Sequence, residues 1–210
     1  MSAHAEKTVT IRRPVASVFD FVLNGANNRL WKPAVSDVRP LSTPPYGMGS
    51  KFEQHVQGPA GPLSADYQIV QYEHNQLIGL QVLSGPARWS GRYEFRAQQG
   101  ATEVTYELAY DPSEYDPELA QQVLPDMQAV LSDEQAASAR LSSHERHALL
   151  LRLDGKASSE IARLMFVGEG TVRNYLFSGL SKLMAPTIQQ WMDDEVRTLD
   201  ELKSFLEKIV

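Results

Sequence analysis

Through residues 1–112 apolar side chains recur mostly at every second position, the period of a strand with one buried face. Glu6–Arg12 alternates in this way and opens the series. One helical pattern interrupts it: in PVASVFDFVL, Val15, Val18, Phe19 and Val22 share a face behind Pro14, a residue suited to a first helical turn. A second short helix is predicted over Asn27–Ala34. Strands are then predicted over Val35–Ser42, Lys51–Gln57, Leu63–His74, Leu77–Leu83, Trp89–Gln98 and Thr102–Tyr110. Pro44-Pro45-Tyr46-Gly47, Gly58-Pro59-Ala60-Gly61-Pro62, Asn75, Gly85-Pro86 and Gly100 break the pattern between them. Connections this short join antiparallel neighbours.

The alternation is cleanest in Trp89–Phe95, where Trp89, Gly91, Tyr93 and Phe95 share one face and Arg88, Ser90, Arg92, Glu94 and Arg96 the other. Val104, Tyr106, Leu108 and Tyr110 repeat it. A sheet with one aromatic face needs a cover, and two short helices are not enough. Thr187–Ile209 supplies a long amphipathic helix, with Ile188, Trp191, Met192, Leu199, Leu202, Phe205, Leu206 and Ile209 on one stripe and Pro186 placed for its first turn. At 1.5 Å per residue its ~22 residues span roughly 33 Å.

A different pattern occupies 141–183. Ser143 is placed to cap a helix His144–Leu153 with Leu149, Leu150 and Leu153 inward, and Gly155 to end it. Ser158 is placed to cap Ser159–Met165, with Ile161, Ala162 and Leu164 inward. After a turn at Val167-Gly168, Glu169–Leu183 forms a third helix that buries Val172, Leu176, Leu180 and Leu183. Helix, helix, tight turn, helix is the plan of a tri-helical helix-turn-helix. Residues 113–140 between the two patterns are acidic and helical, broken by Pro125, with Val123, Leu124, Met127, Val130 and Leu131 as apolar contacts.

Charge changes this picture modestly. The chain of 210 residues carries a net charge of -6, distributed as 0 over 1–112, -5 over 113–140, +2 over 141–183 and -3 over 184–210. The helix-turn-helix is the one net-positive block, and acid flanks it. No cysteine is present, which removes disulfides, thiolate metal sites and thiol nucleophiles. No paired carboxylates, nucleophile elbow or metal-ligand cluster stands out, and no cofactor or metal is expected. The opening MSAHAEKTVTIRRP lacks a signal-peptide apolar run and no stretch approaches the ~20 apolar residues of a membrane span, so a soluble cytoplasmic protein without a membrane partner is expected.

Two resemblances give these patterns names. The segments TVTIRRPVASVFDFVLN, Trp31-Lys32-Pro33, GSKFEQHV, DYQIVQYEHNQLIGLQ, RWSGRYEFRAQQGATEVTYELAY and WMDDEVRTLDELKSFLE resemble the START/SRPBCC superfamily of polyketide cyclases, aromatases and plant-type hormone-binding proteins. The resemblance implies an α+β helix-grip fold, a curved antiparallel sheet of about seven strands wrapped on a long C-terminal helix. It implies a discontinuous domain over 1–112 and 184–210, with an acidic linker at 113–140 and an inserted all-α domain at 141–183. It also implies a cavity for an apolar or aromatic small molecule. By alternation its wall candidates are Trp31, Phe52, Tyr67, Trp89, Tyr93, Phe95 and Tyr106, with Trp191 and Met192 from the helix. Each of these residues also fits an ordinary core position.

Cyclase chemistry would need inward proton donors, for which His55, Asp66, Tyr67 and His74 are candidates. His55 falls opposite Phe52 and Val56 and His74 at a strand end, so a surface placement is expected for both histidines. The insert resembles LuxR-type DNA-binding domains and, more distantly, the promoter-reading domain of sigma factors, through Leu141, Glu145, Leu149, Gly155, Ser158, Glu160-Ile161-Ala162, Leu164, Val167, Glu169–Tyr175 and Lys182-Leu183. This resemblance implies that Glu169, Thr171, Arg173 and Asn174 face bases or backbone and that Ser158 and Lys182 touch phosphates. His144 stands where the family usually has arginine and Gly168 where it has serine, which weakens phosphate gripping. The leading expectation is a ligand-responsive transcriptional regulator that reads DNA as a homodimer. The alternative is a cyclase-like enzyme or metabolite carrier whose helix-turn-helix serves only dimerisation or protein docking.

Overall fold

A computed structural model describes residues 3–58, 61–84, 89–110 and 140–208. The predicted linker, with Val123, Leu124, Met127, Val130 and Leu131, lies outside them apart from Arg140, and so does Ile209. The strands are β1 (Ala3–Ile11), β2 (Val35–Pro40), β3 (Lys51–Gly58), β4 (Gly61–Ser64), β5 (Tyr67–Glu73), β6 (Leu77–Val82), β7 (Trp89–Gln98) and β8 (Ala101–Tyr110). They form one antiparallel sheet ordered β1-β8-β7-β6-β5-β3-β2, with β4 paired to β3 off the main path. The stretch expected to be one strand from Leu63 to His74 is two. Asp66 stops it: its carboxylate accepts from the Ser64 hydroxyl at 3.0 Å and the Gln54 amide at 3.2 Å, which turns the chain from β4 into β5.

The helices are α1 (Val15–Leu23), α2 (Asn28–Trp31), α3 (Ser143–Leu153), α4 (Ser158–Met165) and α5 (Glu169–Lys208), with a 3-10 turn at Gly25–Asn27. Pro14 precedes α1, and Val18, Phe19 and Val22 are buried as their spacing requires. The inner face of the sheet is also the one predicted: Tyr93, Phe95, Val104, Tyr106, Leu108 and Tyr110 are buried.

The principal departure from the sequence pattern is α5. The pattern predicts two helices, with Pro186 opening the second; the backbone is instead one helix of 40 residues with Pro186 inside it. Its buried residues fall in two groups: Val172, Leu176, Leu180 and Leu183, then Met192, Val196, Leu199, Leu202 and Leu206. At about 100° per residue these stripes lie roughly 140° apart around the axis. The first half packs on α3 and α4, and the second on β1, β8 and α2. A helix that buries one side on one neighbour and nearly the opposite side on another shows no single apolar face, which is why the pattern divides at Pro186.

Polar contacts tie α5 along the outer edge of β1. Lys7 pairs with Asp200, the Arg12 amide donates to Glu207 at 2.9 Å, and the Arg13 guanidinium donates to the Leu206 carbonyl at 2.9 Å. The edge strand of the sheet is thereby covered rather than left open to other chains.

In α3 the cap is Ser142, one residue earlier than expected; its hydroxyl accepts from the Glu145 amide while Glu145 accepts from the Ser142 amide, a capping box. Ala148 and Leu149 face inward, whereas Leu150, expected inward, is exposed. Gly155 follows α3 with φ 78°, a conformation open to glycine. Ala157, not Ser158, precedes α4, and Leu164 near its end is exposed rather than inward.

Candidate ligand core and nucleic-acid interface

Where the second half of α5 crosses the sheet, the aromatic face meets a small set of polar groups. Lys32, the residue ending α2, is 5% exposed and its ammonium pairs with Glu195 of α5. Rings surround it: the Lys32 Nζ lies 4.9 Å from the Trp31 centroid, 5.1 Å from Tyr106 and 5.9 Å from Tyr93. Tyr93 and Tyr106 stack with centroids 4.0 Å apart and planes 4° from parallel, and the Tyr106 hydroxyl donates to Glu195 at 3.4 Å. A second buried group joins α2 to the sheet: the Asn28 amide donates to Gln54 Oε1 at 3.0 Å and to the Tyr67 hydroxyl at 3.3 Å. Tyr67 in turn stacks on Phe52 at 5.1 Å.

Burial disfavours the Lys32 ammonium, but Glu195 and the Tyr93 hydroxyl outweigh it and raise its pKa. Burial raises the pKa of Tyr67, Tyr93 and Tyr106, against the opposing pull of Lys32 on Tyr67 and Tyr93. At neutral pH the lysine is therefore charged and the tyrosines are neutral donors.

Of the predicted wall residues, Trp31, Phe52, Tyr67, Tyr93, Phe95, Tyr106 and Met192 are buried together in this core. Trp89 is half-buried against this core, and its ring lies 5.3 Å from that of Trp191, which is 37% exposed. The space between Asn28, Tyr67, Tyr93, Ile69 and Ile78 amounts to a cavity of about 10 Å³. That is room for about one water molecule.

His74 is exposed, within 3.3 Å of the Tyr72 hydroxyl, and His55 lies on the face away from Phe52. On the outer face of the sheet, His4, Glu6 and Glu107 bring potential metal-ligand atoms within 4.8 Å of one another. Residues 103 apart give no local sign of such a grouping, and all three sit at the solvent-facing surface, where acidic clusters are ordinary.

The helix-turn-helix candidates begin at the start of α5. Glu169, Arg173 and Asn174 are exposed and Thr171 is half-buried. Two of the expected phosphate contacts are already engaged within the chain. The Ser158 hydroxyl accepts from the Arg152 guanidinium rather than capping α4. The Lys182 ammonium donates to both oxygens of Glu145 at 2.8 Å. Glu145, 5% exposed, also accepts from the Ser142 amide at 2.7 Å and from the Ser178 hydroxyl. Burial alone would raise its pKa, but the donors from Lys182, Ser178 and Ser142 prevail and hold it at about 2. Gly179 permits the close approach this needs, since a Cβ there would stand 2.8 Å from Leu149 Cδ1. The turn before α5 is made by Phe166, left-handed at φ 56° and 95% exposed.

A curved antiparallel sheet closed by a long helix, with an aromatic interior, defines a helix-grip protein, and here it carries a helix-turn-helix. The profile described as polyketide cyclase / dehydrase and lipid transport matches residues 2–140, and the chain belongs to that family. The profile of sigma-70 region 4 matches residues 134–183. No curated protein sequence matches the chain. Among solved structures, it is similar to a START superfamily protein from Mycobacterium smegmatis, with 11% identity, a TM-score of 0.46, and coverage of 66% of this chain and 99% of that one. It is similar to a protein from Deinococcus radiodurans with 21% identity, a TM-score of 0.44, and coverage of 64% and 98%. It is also similar to the di-domain ARO/CYC BexL of the BE-7585A biosynthetic pathway, with 16% identity, a TM-score of 0.46, and coverage of 85% of this chain and 48% of that one. Among the described residues no helix is long and apolar enough to cross a membrane.

Proposed function

We propose that the chain is a ligand-responsive transcriptional regulator in which residues 1–112 and 184–210 take up an apolar or aromatic small molecule and residues 141–183 read DNA in a homodimer. The observation that carries this reading is the single helix α5, which begins with the exposed Arg173 and Asn174 and ends as the cover of the sheet. The core has a free volume of about 10 Å³, so an aromatic occupant enters only by moving Tyr67, Tyr93 or α5 itself. Movement of α5 on the sheet reorients the face that bears Arg173. Two global states of one rigid element, biased by both sites, are what coupling between sites requires.

The polar core groups support binding over acid-base catalysis. Lys32 and the buried tyrosines have pKa values pushed upward, away from the neutral range in which a general acid or base works best.

The test is a gel shift with genomic fragments, run with and without aromatic ligands. Arg173→Ala is expected to abolish specific retention while the far-ultraviolet spectrum stays unchanged, because the residue is exposed and supports no packing. Removing one cation that neutralises a phosphate lowers the salt slope by ~0.9. Equal retention of wild type and variant across salt would sink the reading.

A further inference from the structure

The turn between α4 and α5 holds an aromatic ring for which the chain itself has no use. Phe166 ends α4 in the left-handed region at φ 56°. Its amide donates to the Arg163 carbonyl at 3.4 Å, and the next amide, of Val167, to the Ala162 carbonyl at 3.0 Å. Glycine meets this helix end at least cost, and a bulky aromatic residue meets it only with backbone strain. The ring brings no packing in return. It is 95% exposed, while the residues on either side, Met165 and Val167, pack against the core. A side chain that is both strained and solvated points to a contact made outside the chain.

The surface on either side of the ring suits a polyanion. Residues 161–174 carry Arg163 and Arg173 against the single acid Glu169. Both arginines are exposed, and neither is engaged in an ion pair among the described residues. At Gly168 and Gly170 an added Cβ would meet nothing within 4 Å, so packing does not require glycine at either position. Their bareness instead lets the backbone beside Phe166 come close to a partner.

We propose that Phe166 is a specificity-determining residue whose ring lies against the C5-methyl group of a thymine in the major groove of duplex DNA. The assignment rests on the reading of residues 141–183 as a DNA reader and adds a base preference to it. Base edges in the major groove are hydrogen-bond donors and acceptors, and the thymine methyl is the apolar group among them. A ring without polar atoms therefore distinguishes thymine from the other bases and reads nothing else directly.

The experiment uses the full chain to select a duplex from a randomised pool. The selected duplex is then remade with deoxyuridine in place of each thymine in turn, which removes the methyl group and leaves the pairing edge unchanged. Affinities are read by fluorescence anisotropy. Wild type is expected to lose about fourfold at one thymine of each half-site, the worth of one methyl group taken out of water. Phe166→Gly is expected to bind the thymine and deoxyuridine duplexes equally, and to melt no lower than wild type, because glycine suits the turn. Indifference of the wild type at every thymine overturns the proposal while leaving the DNA reader standing. Discrimination retained by Phe166→Gly also overturns it, as does undiminished affinity of that variant, which turns the ring towards a protein partner. A clear fall in its melting temperature gives the ring a structural role and overturns the proposal as well. Selection of no duplex at all brings down the DNA reader and this assignment together.

Discussion

Lys32 and Glu195 form the most completely buried ion pair among the described residues, with side chains 5% and 11% exposed. Removing one partner of such a pair leaves a buried charge and costs about 3–5 kcal/mol, whereas replacing both by apolar residues of similar volume is close to neutral. Lys32→Met and Glu195→Met are each expected to lower the urea midpoint sharply, and the two together to recover most of the loss. Additive losses in that double-mutant cycle would show that the two side chains do not act as a pair. Glu145 has a pH signature instead. Its carboxyl titrates at about 2 in the folded chain against an ordinary 4.5, so its stabilisation is present above about pH 4.5 and is lost as pH falls towards 2. Between pH 6 and pH 3 the wild type should lose about 2 kcal/mol through this group, measured in urea melts, and Glu145→Gln should lack that component.

On the scale of the element, α5 carries a proline at its middle. Pro186 has no N–H, so the carbonyl four residues back, at Lys182, lacks its helical donor. Pro186→Ala restores that bond and is expected to raise unfolding free energy by about 1–3 kcal/mol. An unchanged or lowered value would mean that the missing bond costs this helix nothing. The same element shows what the sequence hid. β7 was legible to the residue, Trp89–Gln98, because one period holds from Trp89 and buries Gly91, Tyr93 and Phe95 in turn. α5 was not, because two docking surfaces on different sides override the local signal of Pro186. Tertiary packing, absent from any window of sequence, makes one helix of what reads as two.

Across the whole molecule, the matched cyclase profile ends at residue 140, yet among the described residues the long helix that covers the sheet is the second half of α5. Met192, Val196, Leu199, Leu202 and Leu206 are buried there. At about 1.5–3 kcal/mol each, their burial approaches the 5–15 kcal/mol of an ordinary domain's total stability. A fragment of residues 1–140 is therefore expected to lack near-ultraviolet dichroism and cooperative melting, and a sharp transition would disprove the dependence. The candidate core was readable in part for the same long-range reason. Its aromatic residues follow from alternation, but Lys32 and Glu195 lie 163 positions apart and meet only once α5 has folded back onto α2. Gln54 was on the inward face by simple counting from Phe52, and only its polarity kept it from notice.

The continuity of α5 also fixes the rotational timing between the two halves of the chain. One residue inserted between Leu183 and Gln189 would swing Arg173 and Asn174 about 100° around the axis, while seven would return them to within roughly 20° and set them about 10 Å further out. The two parts are geared together like wheels on one shaft. Exchange of such a head between relatives therefore has to respect the count of residues along the shaft as strictly as the identity of those at its ends.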